Sequence, residues 1–230
     1  MTEPGYRDRL ALALDFETTD RAIGLAKELT PWFGVAKVGY ELYAAAGPAV
    51  VEQLRSLDMK VFLDLKLHDI PTTVGRGARV LGRLGASYLN FHASGGEAML
   101  RAGIDGLASG AAEAGHAAPI ALAVTVLTSD QGNVELLRAR ATSAFDAGCG
   151  GVVCAASDIG DVRAVFADAV TMVPGIRIEG TSLDDQVRVA TPAEALAAGA
   201  DVIILGRSVT AADDPVATAN ALVASLPRLG

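Results

Sequence analysis

Lys60-Val61-Phe62-Leu63-Asp64-Leu65-Lys66-Leu67-His68-Asp69-Ile70-Pro71-Thr72-Thr73 begins as an almost uniformly apolar run over 60–65, gains charge at its far end and stops at a proline. Helical spacing follows over Thr72 to Leu84. A run too apolar to own a polar face reads as a strand buried on both sides, the habit of a parallel sheet. The same unit recurs along the chain. Runs rich in Val, Ile, Leu and Ala occupy 10–15, 34–38, 60–65, 87–92, 119–126, 151–154, 169–173 and 201–205. Helical spacing also covers Thr18 to Leu29, Gly47 to Leu57, Glu97 to Ala114 and Asp214 to Ser225. Eight units in 230 residues leave about 29 residues for each, close to the roughly 30 of a strand with its crossover helix. Eight alternating units predict an α/β fold, a single (β/α)8 TIM barrel, with residues 1–230 as one domain. An open doubly wound sheet would have fewer strands and a glycine-rich fingerprint after the first, where this chain has Leu14-Asp15-Phe16-Glu17. One long irregular stretch, Arg177 to Val189, follows the seventh run, and a long loop in a compact domain is usually functional or disordered.

Composition narrows the classes of partner. The chain is 51% hydrophobic and carries 27 acidic against 19 basic residues, a net charge of −8 with no Lys/Arg cluster. Binding through phosphate neutralisation along DNA, RNA or an acidic membrane is therefore not expected. The start, Met1 to Leu10, is polar and charged, and the longest apolar run, Ala117 to Leu127, falls short of the ~18 residues of a membrane span, so a cytoplasmic protein is expected. Cys149 and Cys154 have neither a CxxC spacing nor a partnering histidine and read as buried, reduced thiols. His68, His92 and His116 share no helical zinc spacing, and no metal site is expected.

In a barrel the chemistry sits at the C-terminal ends of the strands. Alternation along the third strand sends Asp64 and Lys66 to one face and Leu63 and Leu65 to the other. The second strand brings Lys37 to the same level and the first ends in Asp15. Buried charges are costly unless paired, so these acids and lysines should form an alternating network. For Asp15 alone, capping the next helix is a competing role. The seventh and eighth strands run into Pro174-Gly175-Ile176-Arg177 and Leu205-Gly206-Arg207-Ser208, two glycine-arginine turns where barrels commonly hold phosphate. Glycine lets backbone N–H groups approach the oxygens and Arg207 can donate two parallel hydrogen bonds. Gln186, in the long loop beside Asp184 and Asp185, is a candidate lid residue. Thr125 to Ser129 offers hydroxyls to a planar polar ring, while His92 is as readily a packed core histidine as a site residue.

Asp64, Lys66 and Asp69 in DxKxxD, followed by Ile70-Pro71-Thr72-Thr73, resemble the signature of the orotidine 5′-monophosphate decarboxylase family. The resemblance continues through Leu14-Asp15, Lys37-Val38-Gly39, His92-Ala93-Ser94-Gly95-Gly96, Leu127-Thr128-Ser129, Pro174 to Arg177, Asp185-Gln186-Val187-Arg188 and Gly206-Arg207-Ser208. DxKxxD alone is shared with other phosphosugar barrels; the full set in this order is specific. The resemblance implies a homodimeric (β/α)8 carboxy-lyase that converts orotidine 5′-monophosphate (OMP) to uridine 5′-monophosphate (UMP) and carbon dioxide, with no metal or organic cofactor, in pyrimidine biosynthesis. By matching positions, Lys66 would donate a proton to C6 and Asp64 would stand beside the departing carboxylate. Asp69 would reach the neighbouring subunit's site with Ile70 and Thr73 near it, and Lys37 and Asp15 would hold ribose hydroxyls. Thr128 would meet the pyrimidine, and Arg177, Gln186, Gly206 and Arg207 would bind the phosphate. No motif position departs from the family pattern, and Asp130 to Gly148 matches no motif. The alternatives are a magnesium-dependent phosphosugar lyase or isomerase on the same barrel and a non-catalytic nucleotide-binding barrel. The first would want an acidic metal ligand where the second strand has Lys37.

Overall fold

Eight parallel strands follow one another in chain order and close on themselves, β1 pairing with both β2 and β8. They are β1 (Leu10–Ala13), β2 (Val35–Val38), β3 (Lys60–Leu67), β4 (Tyr88–His92), β5 (Ile120–Val124), β6 (Gly151–Val153), β7 (Val170–Val173) and β8 (Val202–Leu205). The computed structural model describes residues 5–126, 133–178 and 188–227. The helices among them are α1 (Thr19–Leu29), α2 (Tyr40–Ala46), α3 (Ala49–Arg55), α4 (Pro71–Gly82), α5 (Gly96–Glu113), α6 (Val134–Ala147), α7 (Ile159–Arg163), α8 (Pro192–Ala197), α9 (Arg207–Thr210) and α10 (Pro215–Ser225). The eight apolar runs are thus the eight strands of a (β/α)8 barrel. None of the described helices is long and apolar enough to cross a membrane.

Alternation along each strand sorts the apolar side chains into two layers. Ala11, Ala13, Val35, Phe62, Tyr88, Leu122, Val124, Val153, Met172, Val202 and Ile204 pack together inside the barrel. Leu10, Leu12, Ala36, Val38, Leu63, Leu65, Leu89, Phe91, Ile203 and Leu205 face outward into the larger core shared with the helices. Continuing the inward parity by one step past the apolar fill reaches Asp15, Lys37, Asp64 and Gly206. The layer above the plug is therefore where the polar side chains begin.

The structure adds helices to those expected from spacing. The spacing over Gly47 to Leu57 forms α3, but a further helix, α2, precedes it over Tyr40–Ala46; the chain turns between them at Gly47 with φ +63°, and α3 starts after Pro48. Proline is accepted at a helix start and refused in its interior, which keeps α2 and α3 apart. The segment Asp130 to Gly148, which carried no motif, contains α6, whose Asn133 side chain accepts the N–H of Leu136 and whose C-terminus closes on Gly148 at φ +90°. Several other helix starts are legible locally. Thr191 and Glu194 form a reciprocal capping box on α8, and Asp214 caps α10 ahead of Pro215.

α4 and α5 pack with their backbones almost touching. A methyl added at Gly110 would overlap the carbonyl of Arg79, and one at Gly106 that of Gly75. Arg79 on α4 and Arg83 at its C-terminal cap also grip Glu113 on α5. Because α4 starts directly after Asp69-Ile70, this close crossing positions the end of the DxKxxD segment. Gly110→Ala should therefore destabilise the protein by about 1 to 3 kcal/mol, the usual cost of overpacking. Gly24→Ala, on α1 with open space around it, should be neutral or stabilising by up to about 1 kcal/mol through helix propensity. Urea midpoints of the two variants check this pair; equal effects would deny the close crossing its role.

Candidate active site

Asp15, Lys37, Asp64 and Lys66 form one chain of alternating charge at the top of the barrel. The Lys37 ammonium lies 2.8 Å from Asp15 Oδ1 and 3.6 Å from Asp64 Oδ2, and the Lys66 ammonium lies 2.6 Å from Asp64 Oδ1. Lys37 is buried, while Asp15 reaches toward solvent from just beyond the end of β1. The network expected from the sequence is present, and Asp15 does not cap α1: the described N-cap of that helix is Thr18. Gly39 leaves room beside it: a Cβ there would stand 2.9 Å from Asp15 Oδ1 and 3.2 Å from Lys37 Nζ, so both side-chain ends would have to shift.

β3 does not deliver its two charges by simple alternation. Its register against β4 runs Leu63 to Leu89 and then Leu67 to Phe91, so four residues of β3 span two of β4. Lys66 takes a left-handed backbone with φ +45° within this bulge. Bulges re-aim side chains near barrel rims. Here the bulge keeps Lys66 on the cavity side with Asp64 while Leu65 stays in the outer core.

The sequence reading missed Asn90, which holds this bulge. Its side chain is fully buried, donates from Nδ2 to Asp64 Oδ1 at 2.7 Å, and accepts the Lys66 backbone N–H at 2.6 Å. A lone amide at an inward position of the apolar β4 was the available signal. Tyr40 was missed as well. Its hydroxyl donates to the Leu65 carbonyl at 2.6 Å and its ring lies 5.9 Å from Lys66 Nζ.

A cavity of about 650 Å³ opens above the plug, walled by Asp15, Lys37, Asp64, Lys66, Arg177, Gly206 and Arg207 over an apolar floor that includes Phe62, Val124 and Ile204. Charges from β1, β2 and β3 thus share the cavity wall with the two arginines that follow β7 and β8, β8 standing beside β1. The ends of the segment after β7 are pinned together, Ile176 bridging Ala190 and the Arg177 N–H donating to the Ala190 carbonyl at 3.0 Å. Arg188 reaches inward there, donating from one nitrogen to both Asp158 oxygens at 2.7 and 2.5 Å.

Asp69, Ile70 and Thr73 are not among the residues walling this cavity. All three are exposed, Ile70 to 66%, and the Asp69 carboxylate accepts the N–H of Ile70 at 2.7 Å. Thr128 and Gln186 lie outside the described residues. His92 stands against His68 with ring centroids 5.4 Å apart. Burial, helped by the charges of His68 and Lys66, pushes the His92 imidazole below its usual pKa. Cys149 and Cys154 are both free and buried, and burial pushes each thiol up to about 12, so neither is a thiolate near neutrality. Among the described residues no three His, Cys, Asp or Glu side chains converge as metal ligands.

Burial alone would raise the pKa of Asp64. The Lys37 and Lys66 charges, with hydrogen bonds from Lys66 and Asn90, outweigh it and hold the carboxyl below its ordinary value. A carboxyl with a depressed folded-state pKa contributes stability that is present above its unfolded pKa of roughly 4 and is lost as pH falls through the folded value. The stability of the parent should accordingly fall more steeply than that of Asp64→Asn between roughly pH 5 and pH 3. Urea titrations across that window check it, and parallel curves would mean that Asp64 is not held ionised.

The chain matches the orotidine 5′-phosphate decarboxylase / HUMPS family model over residues 8–222. It is 43% identical over 227 residues to orotidine 5′-phosphate decarboxylase of Paramagnetospirillum magneticum, covering 94% of this chain and 97% of the relative. It is 44% identical over 231 residues to the Anaeromyxobacter sp. protein of the same name, covering 95% and 98%. The crystal structure of orotidine 5′-phosphate decarboxylase from Lactobacillus acidophilus superposes with a TM-score of 0.79 at 34% identity, covering 93% of this chain and 96% of that one. Barrel, charge network and matched length agree, and the chain belongs to the orotidine 5′-phosphate decarboxylase / HUMPS family.

Proposed function

We propose that this chain is a cytoplasmic orotidine 5′-monophosphate decarboxylase of pyrimidine biosynthesis, which converts OMP to UMP and carbon dioxide without metal or organic cofactor, and in which Lys66 protonates C6. The observation that carries the reading is the Lys66 ammonium, held 2.6 Å from Asp64 in a cavity whose wall also carries Arg177 and Arg207. Loss of carbon dioxide from a vinylic carbon leaves a carbanion with no adjacent electron sink, so preorganised positive charge must stabilise it. An ammonium aimed at that carbon meets the need and supplies the proton that completes UMP. Asp64 would stand beside the departing carboxylate, and Lys37 and Asp15 would engage the ribose hydroxyls.

The phosphate would bind Arg177, Gln186, Gly206 and Arg207, far enough from C6 for its binding energy to position the reacting end. Thr128 would meet the pyrimidine. A magnesium-dependent phosphosugar reaction fits less well, because the Lys37 ammonium stands between Asp15 and Asp64 and would repel a divalent cation placed on them.

The reading also makes the enzyme a homodimer in which Asp69, with Ile70 and Thr73, completes the partner's site. Supporting this, these residues are exposed and are not among the residues walling the chain's own cavity, and the large apolar surfaces of Ile70 and Tyr40 (61% exposed) flank the mouth of the same barrel.

Loss of OMP absorbance should show turnover by the purified chain. Lys66→Ala should lower kcat by more than about a thousandfold, roughly 4 kcal/mol of transition-state stabilisation, while the affinity for UMP changes little. Activity within tenfold of the parent would remove Lys66 from the reaction. Mixing the inactive Lys66→Ala and Asp69→Ala chains should restore activity up to about one site per heterodimer, because both lesions then fall in one site and leave the other intact. Subunits shown by mass to exchange yet remaining inactive would place Asp69 in its own chain's site.

A further inference from the structure

Asn90 occupies an inward position of β4, between Tyr88 and His92, and its side chain is completely removed from solvent. Buried amides are retained where both of their ends find partners. The two partners here are the two halves of the charged segment on β3. Nδ2 donates to Asp64 Oδ1 at 2.7 Å and Oδ1 accepts the Lys66 N–H at 2.6 Å. Only this orientation of the amide works, since the reverse would set its oxygen against a carboxylate and its NH2 against an N–H.

The second bond falls where the ladder fails. Between the Leu63–Leu89 and Leu67–Phe91 pairs the backbone of β3 leaves the register of β4, and Lys66 adopts φ +45°. A left-handed non-glycine residue is strained and persists only where its surroundings impose it. The Asn90 oxygen stands in for the main-chain acceptor that regular pairing would have supplied. The first bond acts on the other side of the ion pair: Asp64 Oδ1 receives both Lys66 Nζ and Asn90 Nδ2 and is thereby oriented between them. An amide provides this donor without adding a third positive charge to the pair of lysines.

We propose that Asn90 is a positioning residue for the reaction, fixing with one amide both the left-handed turn at Lys66 and the carboxylate of Asp64, so that the Lys66 ammonium is presented to the reacting carbon. This rests on the decarboxylase reading, and it extends the working parts of the site to a strand that carries none of the charged network residues. Asn90 would not touch the nucleotide, so its loss acts on the reacting end and leaves the phosphate end unaffected.

Two near-isosteric variants test it. Asn90→Leu removes both bonds, and Asn90→Asp keeps an acceptor for the Lys66 N–H but sets a carboxylate against Asp64. The OMP turnover of the parent is measured first, so that an inactive parent would defeat the decarboxylase reading itself. With an active parent, each variant should lose roughly 30- to 100-fold in kcat, the scale of disturbing a supporting contact or of a small misplacement. KM for OMP and the dissociation constant for UMP should stay within about threefold of the parent, as expected when uniform binding is intact. A variant that binds UMP normally with kcat within threefold of the parent would overturn the proposal, as would a loss confined to KM. Should Asn90→Leu fail to bind UMP, Asn90→Asp decides by the same criteria. Failure of both to fold would make Asn90 a structural residue and would equally overturn it.

Discussion

Asp64 stands between two ammonium groups at the top of a barrel whose interior below it is apolar, with Lys37 3.6 Å from one carboxylate oxygen and Lys66 2.6 Å from the other. Taking any one of these charges out of water alone would cost several kcal/mol, and removing one partner of a buried pair leaves the other uncompensated. The four groups are therefore tolerable as a set, with charges that alternate from Asp15 through Lys37 and Asp64 to Lys66. The same alternation holds the Asp64 carboxyl ionised against the burial that opposes it.

The barrel makes this arrangement available through geometry. Inward positions from eight strands stack in layers, and the lower layers are filled by alanine, valine, leucine, isoleucine, methionine and the rings of Phe62 and Tyr88. That plug closes the interior from below, so the next layer faces a cavity open at the other end. Lys37 and Asp64 enter it by continuing the parity of their strands. Gly206 continues the parity of β8 without a side chain, leaving the space beside it to Arg207 and Arg177. Lysines and arginines lining one cavity suit an anionic ligand.

Local backbone irregularity matters as much as the regular ladder. The bulge in β3 and the left-handed Lys66 are kept in place by the buried amide of Asn90 on one side and by the Tyr40 hydroxyl on the Leu65 carbonyl on the other. Downstream, α4 begins as soon as the charged segment ends, and its close crossing with α5 holds the emerging chain. The exposed Asp69 and Ile70 lie in the short connection between these two constraints.

Much of this was legible in the residues themselves. Uniformly apolar runs at even spacing determined the eight strands, because a strand covered on both faces cannot carry a polar side. The order of Asp15, Lys37, Asp64 and Lys66 along those strands determined that charge would gather at one end, and Gly-Ile-Arg and Gly-Arg-Ser marked the two arginine turns. Helices were less legible between Tyr40 and Arg55, where α2 precedes the break at Gly47-Pro48 and only α3 after it was expected. Only the tertiary structure decided how Lys66 reaches the cavity, since strand alternation gives the correct face through the wrong backbone. The role of Asn90 was hidden for the same reason. A hydrogen bond between residues 24 or 26 positions apart leaves no local pattern, and it forms only when the barrel sets β4 beside the bulged end of β3.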